Sequence, residues 1–222
     1  MTHPDWLFIH LLLFVFWLGA DVGVFLSLIF VKDRRLGFEA RATVIRLAFW
    51  IDVSPRVAFA LMIPVGTQLA TSLGVLPRHT AVRPVAWLVG LGWCALHAMI
   101  YLQRGQPAAV RLRRANVAFE ALAGLSLVAV ALASLAGAGP IQANWFAWKL
   151  LLFGAVFLVV VGIDTRFQPF TTLLTAGPDG LTPAREAIIT RMTNHTMLWA
   201  LLLYALILAI AWLGAFKPLP PT

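Results

Sequence analysis

The first apolar run, Trp6 to Val31, constrains the fold of this chain more than any other stretch. It holds about 26 residues, and about 20 apolar residues are enough to cross the hydrocarbon core of a bilayer. On a helical period, His10, Trp17 and Asp21 fall on one face. An imidazole and a carboxylate at membrane depth are costly, so this face must point into a helical bundle. His10 and Asp21 are therefore candidate site residues, with local hydrogen bonding inside the bundle as the alternative role.

The composition extends this conclusion to the whole chain. Of 222 residues, 61% are hydrophobic and 12% are charged, and the mean hydropathy is +0.87. These values predict an all-α integral membrane helical bundle. The first span lacks a basic leader and a small-residue cleavage site, so we interpret it as a retained helix. The only cysteine, Cys94, lies inside an apolar segment, which excludes a disulfide framework and a cysteine metal cluster.

Six apolar segments predict six transmembrane helices in a single domain covering residues 1–222. The predicted spans are about 6–31, 46–74, 85–103, 114–137, 144–165 and 195–216.

Basic residues are distributed unevenly between the two ends of these spans. The connections after spans one, three and five hold twelve of them: Lys32, Arg34, Arg35, Arg41, Arg46, Arg104, Arg111, Arg113, Arg114, Arg166, Arg185 and Arg191. The opposite side holds three: Arg78, Arg83 and Lys217. The positive-inside rule therefore places both termini on the non-cytoplasmic side, in a bacterium the periplasmic side of the inner membrane. Because the +8 charge sits beside the spans, we expect the lipid bilayer, and no nucleic acid, as its partner.

Two small-residue patterns predict close helix packing. Gly19 and Gly23, four residues apart in the first run, would let another helix approach. Asn116, Glu120 and Gly124 form a stripe from polar to small residues at the start of span four.

Span two carries Pro55 and Pro64, which remove backbone donors and predict kinks. Asp52 and Arg56 flank the first proline at a spacing of four, which favours an ion pair within one helix. The sequence places Arg56 near the bilayer middle, where it would suit an anionic ligand or a structural pair with Asp52.

Two groups of residues fall at matched depths. His10 and Lys149 each lie about one helical turn below the non-cytoplasmic surface, although Lys149 would also reach the headgroups by snorkelling. His97 and His195 lie toward the cytoplasmic surface. Histidine is the usual axial ligand of haem iron, and two helices offering histidines at one depth can hold a haem. His97 and His195 meet that condition, with a proton-sensing or structural role as the alternative; His10 would be a single ligand.

The residues that carry these features also resemble a known family. The run from His10 to Gly19, with Trp17 seven positions after the histidine, resembles the opening helix of HemJ-type protoporphyrinogen oxidases and the related CopD-like membrane proteins. The segment 145–152 around Lys149 resembles that family's lysine helix. The last span, from Arg191-Met-Thr-Asn-His195 to Phe216-Lys-Pro218, is similar to the family's last helix.

The resemblance implies a helical bundle that binds haem b, with His10 and Lys149 important for activity. The chain departs from the family pattern by inserting two spans at about 85–137, by lacking an arginine late in the first helix, and by having His195 where the family has glutamate. These departures weigh against strict protoporphyrinogen oxidase activity more than against haem binding.

Three functions follow as hypotheses. The first is a haem-b membrane oxidoreductase or electron-transfer subunit that exchanges electrons with a quinone or a periplasmic partner. Its cofactor would be held by His10, His97 and His195 through the haem iron, and its catalytic residues would be Lys149, Asp21 and Arg56. The second is a CopD-like transporter or permease for a metal ion or small solute, with buried charges lining the path. The third is a scaffold or assembly subunit without a cofactor. The sequence leaves open whether the chain is an enzyme and whether it forms homo- or hetero-oligomers.

Overall fold

The computed structural model describes residues 1–77, 81–166 and 169–217, the side chains of Arg166 and Pro169 excepted. Within these ranges the chain forms helices and no strand. The helices are α1 (His3–Lys32), α2 (Phe38–Ile51), α3 (Val53–Ser72), α4 (Val82–Leu102), α5 (Pro107–Leu135), α6 (Asn144–Arg166), α7 (Pro169–Ala176) and α8 (Pro183–Phe216). Arg78 and Pro218, which contribute to the charge asymmetry and to the family resemblance, lie outside the described residues.

Six helical segments are long and apolar enough to cross a membrane: α1, α2 with α3, α4, α5, α6 with α7, and α8. The predicted all-α bundle of an integral membrane protein is confirmed. Three segments begin well before their predicted spans, because α2 starts at Phe38, α5 at Pro107 and α8 at Pro183. The 34 residues of α8 extend about 50 Å at about 1.5 Å per residue, well beyond the roughly 30 Å of hydrocarbon. Helix α8 therefore extends beyond the predicted span 195–216.

The six segments close into a ring in chain order. Each packs against the next, α1 on α3, α3 on α4, α4 on α5, α5 on α6 and α6 on α8, and α8 packs against α1. At one end of the ring, the His3 imidazole of α1 lies 2.8 Å from the hydroxyl of Ser72, the last residue of α3. We call this the termini end, because α1 begins and α8 ends there. The opposite end holds Lys32, Arg34 and Arg41 and is called the basic end.

Glycines determine how closely some of these helices approach. A Cβ at Gly154 of α6 would lie 2.9 Å from the carbonyl oxygen of Gly124 of α5, so the stripe predicted on span four does mark a close contact. Gly23 faces Ile51, whose Cγ2 would lie 3.3 Å from an added Cβ. The predicted close helix contact at Gly19 is wrong, because no described residue lies within 4 Å of a Cβ added there.

Pro55 acts differently from the prediction. The helix breaks at Asp52, between α2 and α3, and Pro55 follows in the first turn of α3, where a missing N–H leaves no intrahelical bond unmade. The predicted kink at Pro55 is therefore a helix break three residues earlier. Helix α3 continues through Pro64, and a Cβ at Gly90 of α4 would lie 2.7 Å from the Pro64 Cδ. Pro64 thus packs against a neighbour that has no side chain.

Aromatic side chains fill the middle of the ring. They come from five helices: Trp17, Phe59, Trp93, Phe119, Phe153 and Phe157. The Phe59 ring centroid lies 4.6 Å from those of Trp17 and Phe157, and Trp93 stacks on Phe157 at 5.3 Å. Aromatic pairs of this geometry contribute about 0.5–1.5 kcal/mol each beyond their buried area. This aromatic layer separates the polar residues at the termini end from those at the basic end.

A second, smaller core lies at the basic end. Val31, Ile45, Leu173 and Ile189 bring together the end of α1, the middle of α2, α7 and the start of α8. Beside them, Arg41 is only 1% exposed. Its Nη1 and Nη2 donate to the Glu186 carboxylate at 2.5 and 3.0 Å, and its Nε donates to the Val31 carbonyl at 2.7 Å. The residues that extend α2 and α8 beyond the predicted spans thus form a packed cap.

Candidate functional site

His10 presents a buried nitrogen toward the interior of the ring. Its Nδ1 is buried and has no hydrogen-bond partner among the described residues. The neighbour across the interface with α3 is Gly66, where an added Cβ would lie 3.5 Å from the His10 Cε1 and 3.9 Å from Nδ1. A buried polar atom without a partner costs about 1–3 kcal/mol, so such an atom in a folded protein calls for an explanation. A bound ligand that engages the imidazole would supply one.

Lys149 approaches the same region from α6. Its ammonium lies against α8 at Gly214, where a Cβ would come within 2.5 Å of Nζ. Lys149 and His10 thus both lie toward the termini end, and we call this region the termini-end site, defined by His10, Lys149, Gly66 and Gly214. The absence of a side chain at Gly214 leaves the space that the ammonium occupies.

Arg56 lies on the other side of the aromatic layer. Its Nε donates to Asp52 at 2.7 Å, which confirms the predicted pair, and its two terminal nitrogens donate to Asp164 of α6 at 3.1 and 3.2 Å. The Tyr101 hydroxyl donates to the same Asp52 carboxylate at 3.1 Å. Tyr101 and Asp164 belong to the last turns of α4 and α6. Arg56 is therefore near the basic end and not near the bilayer middle.

His97 is buried beside this network. Its ring lies 5.4 Å from that of Trp93 on the same helix, and its side chain is 4% exposed. The Trp93 indole donates to Asn116 at 2.8 Å, and the Asn116 amide donates to one oxygen of Glu120 at 2.9 Å. The second Glu120 oxygen, Oε2, is buried without a partner in the described structure. The polar stripe predicted on span four thus faces the His97 helix.

Asp21, the other predicted carboxylate of α1, faces Tyr204 of α8. The Tyr204 hydroxyl is buried. Phe25, one turn further along α1, packs against the Tyr204 ring at 5.9 Å. Asp21 therefore belongs to the interface between α1 and α8, away from the His10 nitrogen.

His195 is separate from the other histidines. It is exposed and lines a groove between the end of α1 and α8. Its helix, α8, does not pack against the His97 helix, α4, within the described ranges. The structure therefore does not place His97 and His195 beside each other, and their joint ligation of one haem stays a prediction.

Two residues that face predicted site residues were not themselves predicted from the sequence: Asp164 faces Arg56, and Tyr204 faces Asp21. Asp164 interrupts the apolar run of span five near its end, and Tyr204 interrupts that of span six. An acidic residue inside a span needs a partner, and this rule alone would have singled out Asp164. Tyr204 gives a weaker signal, because an uncharged tyrosine inside a span does not require an ionic partner.

A metal ion and a haem require different ligands from the side chains of the bundle. No group of three or more histidine, cysteine, aspartate or glutamate side chains comes together as a metal site in the part of the chain that the structure describes. A haem needs an axial ligand and partners for its propionates. The unpaired His10 nitrogen and the Lys149 ammonium are of the chemical types that could meet these two needs.

Comparison with protein-family models, with curated protein sequences and with solved structures found no match for this chain.

Proposed function

We propose that this integral membrane protein is a haem-b oxidoreductase or electron-transfer subunit of a bacterial inner membrane, with its cofactor at the termini-end site. The observation that carries the proposal is the buried, unpartnered Nδ1 of His10, at the end of the ring that also holds Lys149. The resemblance of these two helices to HemJ-type and CopD-like proteins supports the same residues. A haem in this place would supply one-electron chemistry.

The chain's own residues would do three things there. His10 would bind the iron, and the van der Waals contact with Gly66 would fix the plane of its ring. Lys149 would hold an anionic propionate or substrate by a charge-assisted hydrogen bond. The aromatic layer, from Trp17 inward, would close the site toward the basic end. Because charge asymmetry assigns the termini end to the non-cytoplasmic side, the redox partner would be a quinone in the bilayer or a periplasmic protein.

A second candidate function is supported by the network at the basic end. Arg56, Asp52 and Asp164 place one positive and two negative groups inside the ring, as a path for an ion or a small solute would require. This arrangement favours the CopD-like transporter as the alternative. The aromatic layer would then be the closed gate between the two polar regions.

The absorption spectrum of the purified protein after haem-replete expression tests the proposal. We expect sharp reduced haem bands in the wild-type protein and their loss in His10→Ala. His3→Ala is the matched control, because His3 is on the same helix and is already paired with Ser72. The absence of haem bands in the wild-type protein, or a full spectrum in His10→Ala, would contradict the proposal.

The same spectra decide the role of the remaining histidines. If His97 and His195 ligate a haem together, His97→Ala and His195→Ala will perturb one common spectral species. If both variants keep the wild-type spectrum, these histidines are structural or have another function.

A further inference from the structure

A groove at the basic end runs between the end of α1 and the first half of α8. Its volume is about 430 Å³. It is lined by Arg34, Ala187, Thr190, Arg191, Asn194, His195 and Leu198. Six of these residues belong to α8 and Arg34 belongs to the loop between α1 and α2, and none of them takes part in the termini-end site.

The position of the groove along α8 corresponds to the membrane interface. His195 precedes Lys217, at the termini end, by about 22 residues, or about 33 Å of helix. This length matches the roughly 30 Å thickness of the hydrocarbon core. Toward the membrane, Leu198 leads from the groove to Leu201 and Leu202, which are exposed apolar side chains. The groove therefore has a polar end at the headgroup level and an apolar end at the level of the acyl chains.

The groove has an excess of positive charge that neighbouring acids do not neutralise. Arg34 is 55% exposed and comes no closer than 3.9 Å to Glu186, whose carboxylate is already engaged by Arg41. Arg191 is exposed. Lys32, beside the groove, donates to the Asn194 amide oxygen at 3.1 Å.

The nearest loop contributes no compensating charge. Arg35 binds Asp33 through side-chain hydrogen bonds of 2.8 to 3.2 Å. Hydrogen bonds from Arg35 lower the pKa of Asp33 to about 2, so this pair carries both charges at physiological pH and is neutral as a unit.

We propose that this groove binds the headgroup of an anionic phospholipid from the leaflet at the basic end. Guanidinium groups bind phosphate oxygens through paired hydrogen bonds, and Arg34 approaches the groove from the loop between α1 and α2 and Arg191 from α8. Thr190 and Asn194 add neutral hydrogen-bonding groups. The cytoplasmic leaflet is the anionic one, and basic pockets between helices on that side suit such lipids. A soluble phosphate compound would use the polar end but leave Leu198 and the exposed leucines beyond it without a role.

Native mass spectrometry of the delipidated, detergent-purified protein tests this proposal with dioleoyl phosphatidylglycerol and dioleoyl phosphatidylcholine as probes. We expect preferential retention of phosphatidylglycerol. The double variant Arg34→Gln/Arg191→Gln should bind that lipid about 30-fold more weakly, as expected for two basic side chains at a membrane surface. Ala187→Trp, which keeps every charge but fills the groove, should have a similar effect.

The matched control removes the same charge elsewhere at the basic end. Arg111→Gln/Arg114→Gln changes two exposed arginines of α5 and should leave the affinity within about twofold of the wild-type value. An equal loss in this control would overturn the proposal, because it would show that general surface charge attracts the lipid. Displacement of the lipid by equimolar glycerol phosphate would also overturn it, since the groove would then be a site for soluble phosphate compounds.

Discussion

Arg56 of α3 and Asp164 of α6 are joined across the ring by two hydrogen bonds of 3.1 and 3.2 Å between guanidinium nitrogens and carboxylate oxygens. Helices α3 and α6 are not neighbours in the ring, because α4 and α5 connect them on one side and α1 and α8 on the other. The pair therefore stabilises the ring across its interior. Asp52 binds the third nitrogen of the same guanidinium and attaches the helix break to this network.

Asp164→Asn should lower the free energy of unfolding by about 2 kcal/mol. Breaking a fully buried pair costs about 3–5 kcal/mol, and the two side chains here are 29% and 20% exposed, which reduces that cost. Unfolding in mixed detergent micelles, followed by circular dichroism, measures the change. Asp33→Asn is the control, because its pair with Arg35 is exposed, and it should have no measurable effect. Equal stability of Asp164→Asn and wild type would show that the cross-ring pair contributes nothing.

The network shows which part of the site the sequence could predict. The pairing of Asp52 with Arg56 was predictable because a spacing of four is a local property of a helix. The partner Asp164 is 108 residues away from Arg56, and its approach depends on how the whole ring closes. The depths of His10 and Lys149 in the membrane were predictable from the span boundaries. Their neighbours Gly66 and Gly214 were not, because depth alone does not tell which helices pack together.

The number of membrane spans was predictable from the sequence, but the full length of every helix was not. Apolar length alone identified six spans, because a membrane imposes a minimum length on every crossing helix. The predicted span 195–216 leaves out the first twelve residues of α8, which starts at Pro183. The segment 183–194 is held by the buried pair of Arg41 with Glu186 and by the small core around Ile189, and neither contact has a local sequence pattern.

Gly124→Val should disrupt the contact between α5 and α6. A Cβ at Gly124 would lie 2.8 Å from the Phe157 Cβ and 3.1 Å from the Gly154 carbonyl oxygen, and backbone atoms cannot move away easily. We expect a loss of about 2–3 kcal/mol of stability, as for other overpacked interiors, measured by thermal unfolding in detergent. Gly92→Val makes the same change on α4, where no described residue lies within 4 Å, and should stay within about 0.5 kcal/mol of wild type. Equal effects of both substitutions would mean that helix propensity, and not the close contact, decides the outcome.

The charge asymmetry predicts that the basic end faces the cytoplasm. Single cysteines replace Ala81 at the termini end and Asp179 at the basic end, both exposed, in a Cys94→Ser background. A membrane-impermeant maleimide added to intact cells should label Ala81→Cys, and Asp179→Cys should react only after the membrane is opened. The reverse pattern would place the termini-end site on the cytoplasmic side and rule out a periplasmic redox partner.

Lys149→Met decides whether the lysine belongs to the termini-end site or only reaches the headgroups. Methionine keeps the length and apolar character of the side chain while deleting the charge, and the ammonium now lies against Gly214. If Lys149 binds a propionate or an anionic substrate, loss of that charge-assisted hydrogen bond should weaken haem retention or turnover by about tenfold to a hundredfold. The folded helical content should not change.

The matched control for this change is Lys217→Met. Lys217 is also at the termini end, but its ammonium lies 5.6 Å from the Trp145 ring centroid, at the edge of the bundle. It should retain normal haem content, and Lys149→Arg should restore part of what Lys149→Met loses, because it restores the positive charge. Normal cofactor content and turnover in Lys149→Met would instead show that Lys149 only snorkels to the headgroups. The proposed site would then retain His10 as its haem ligand but lose Lys149.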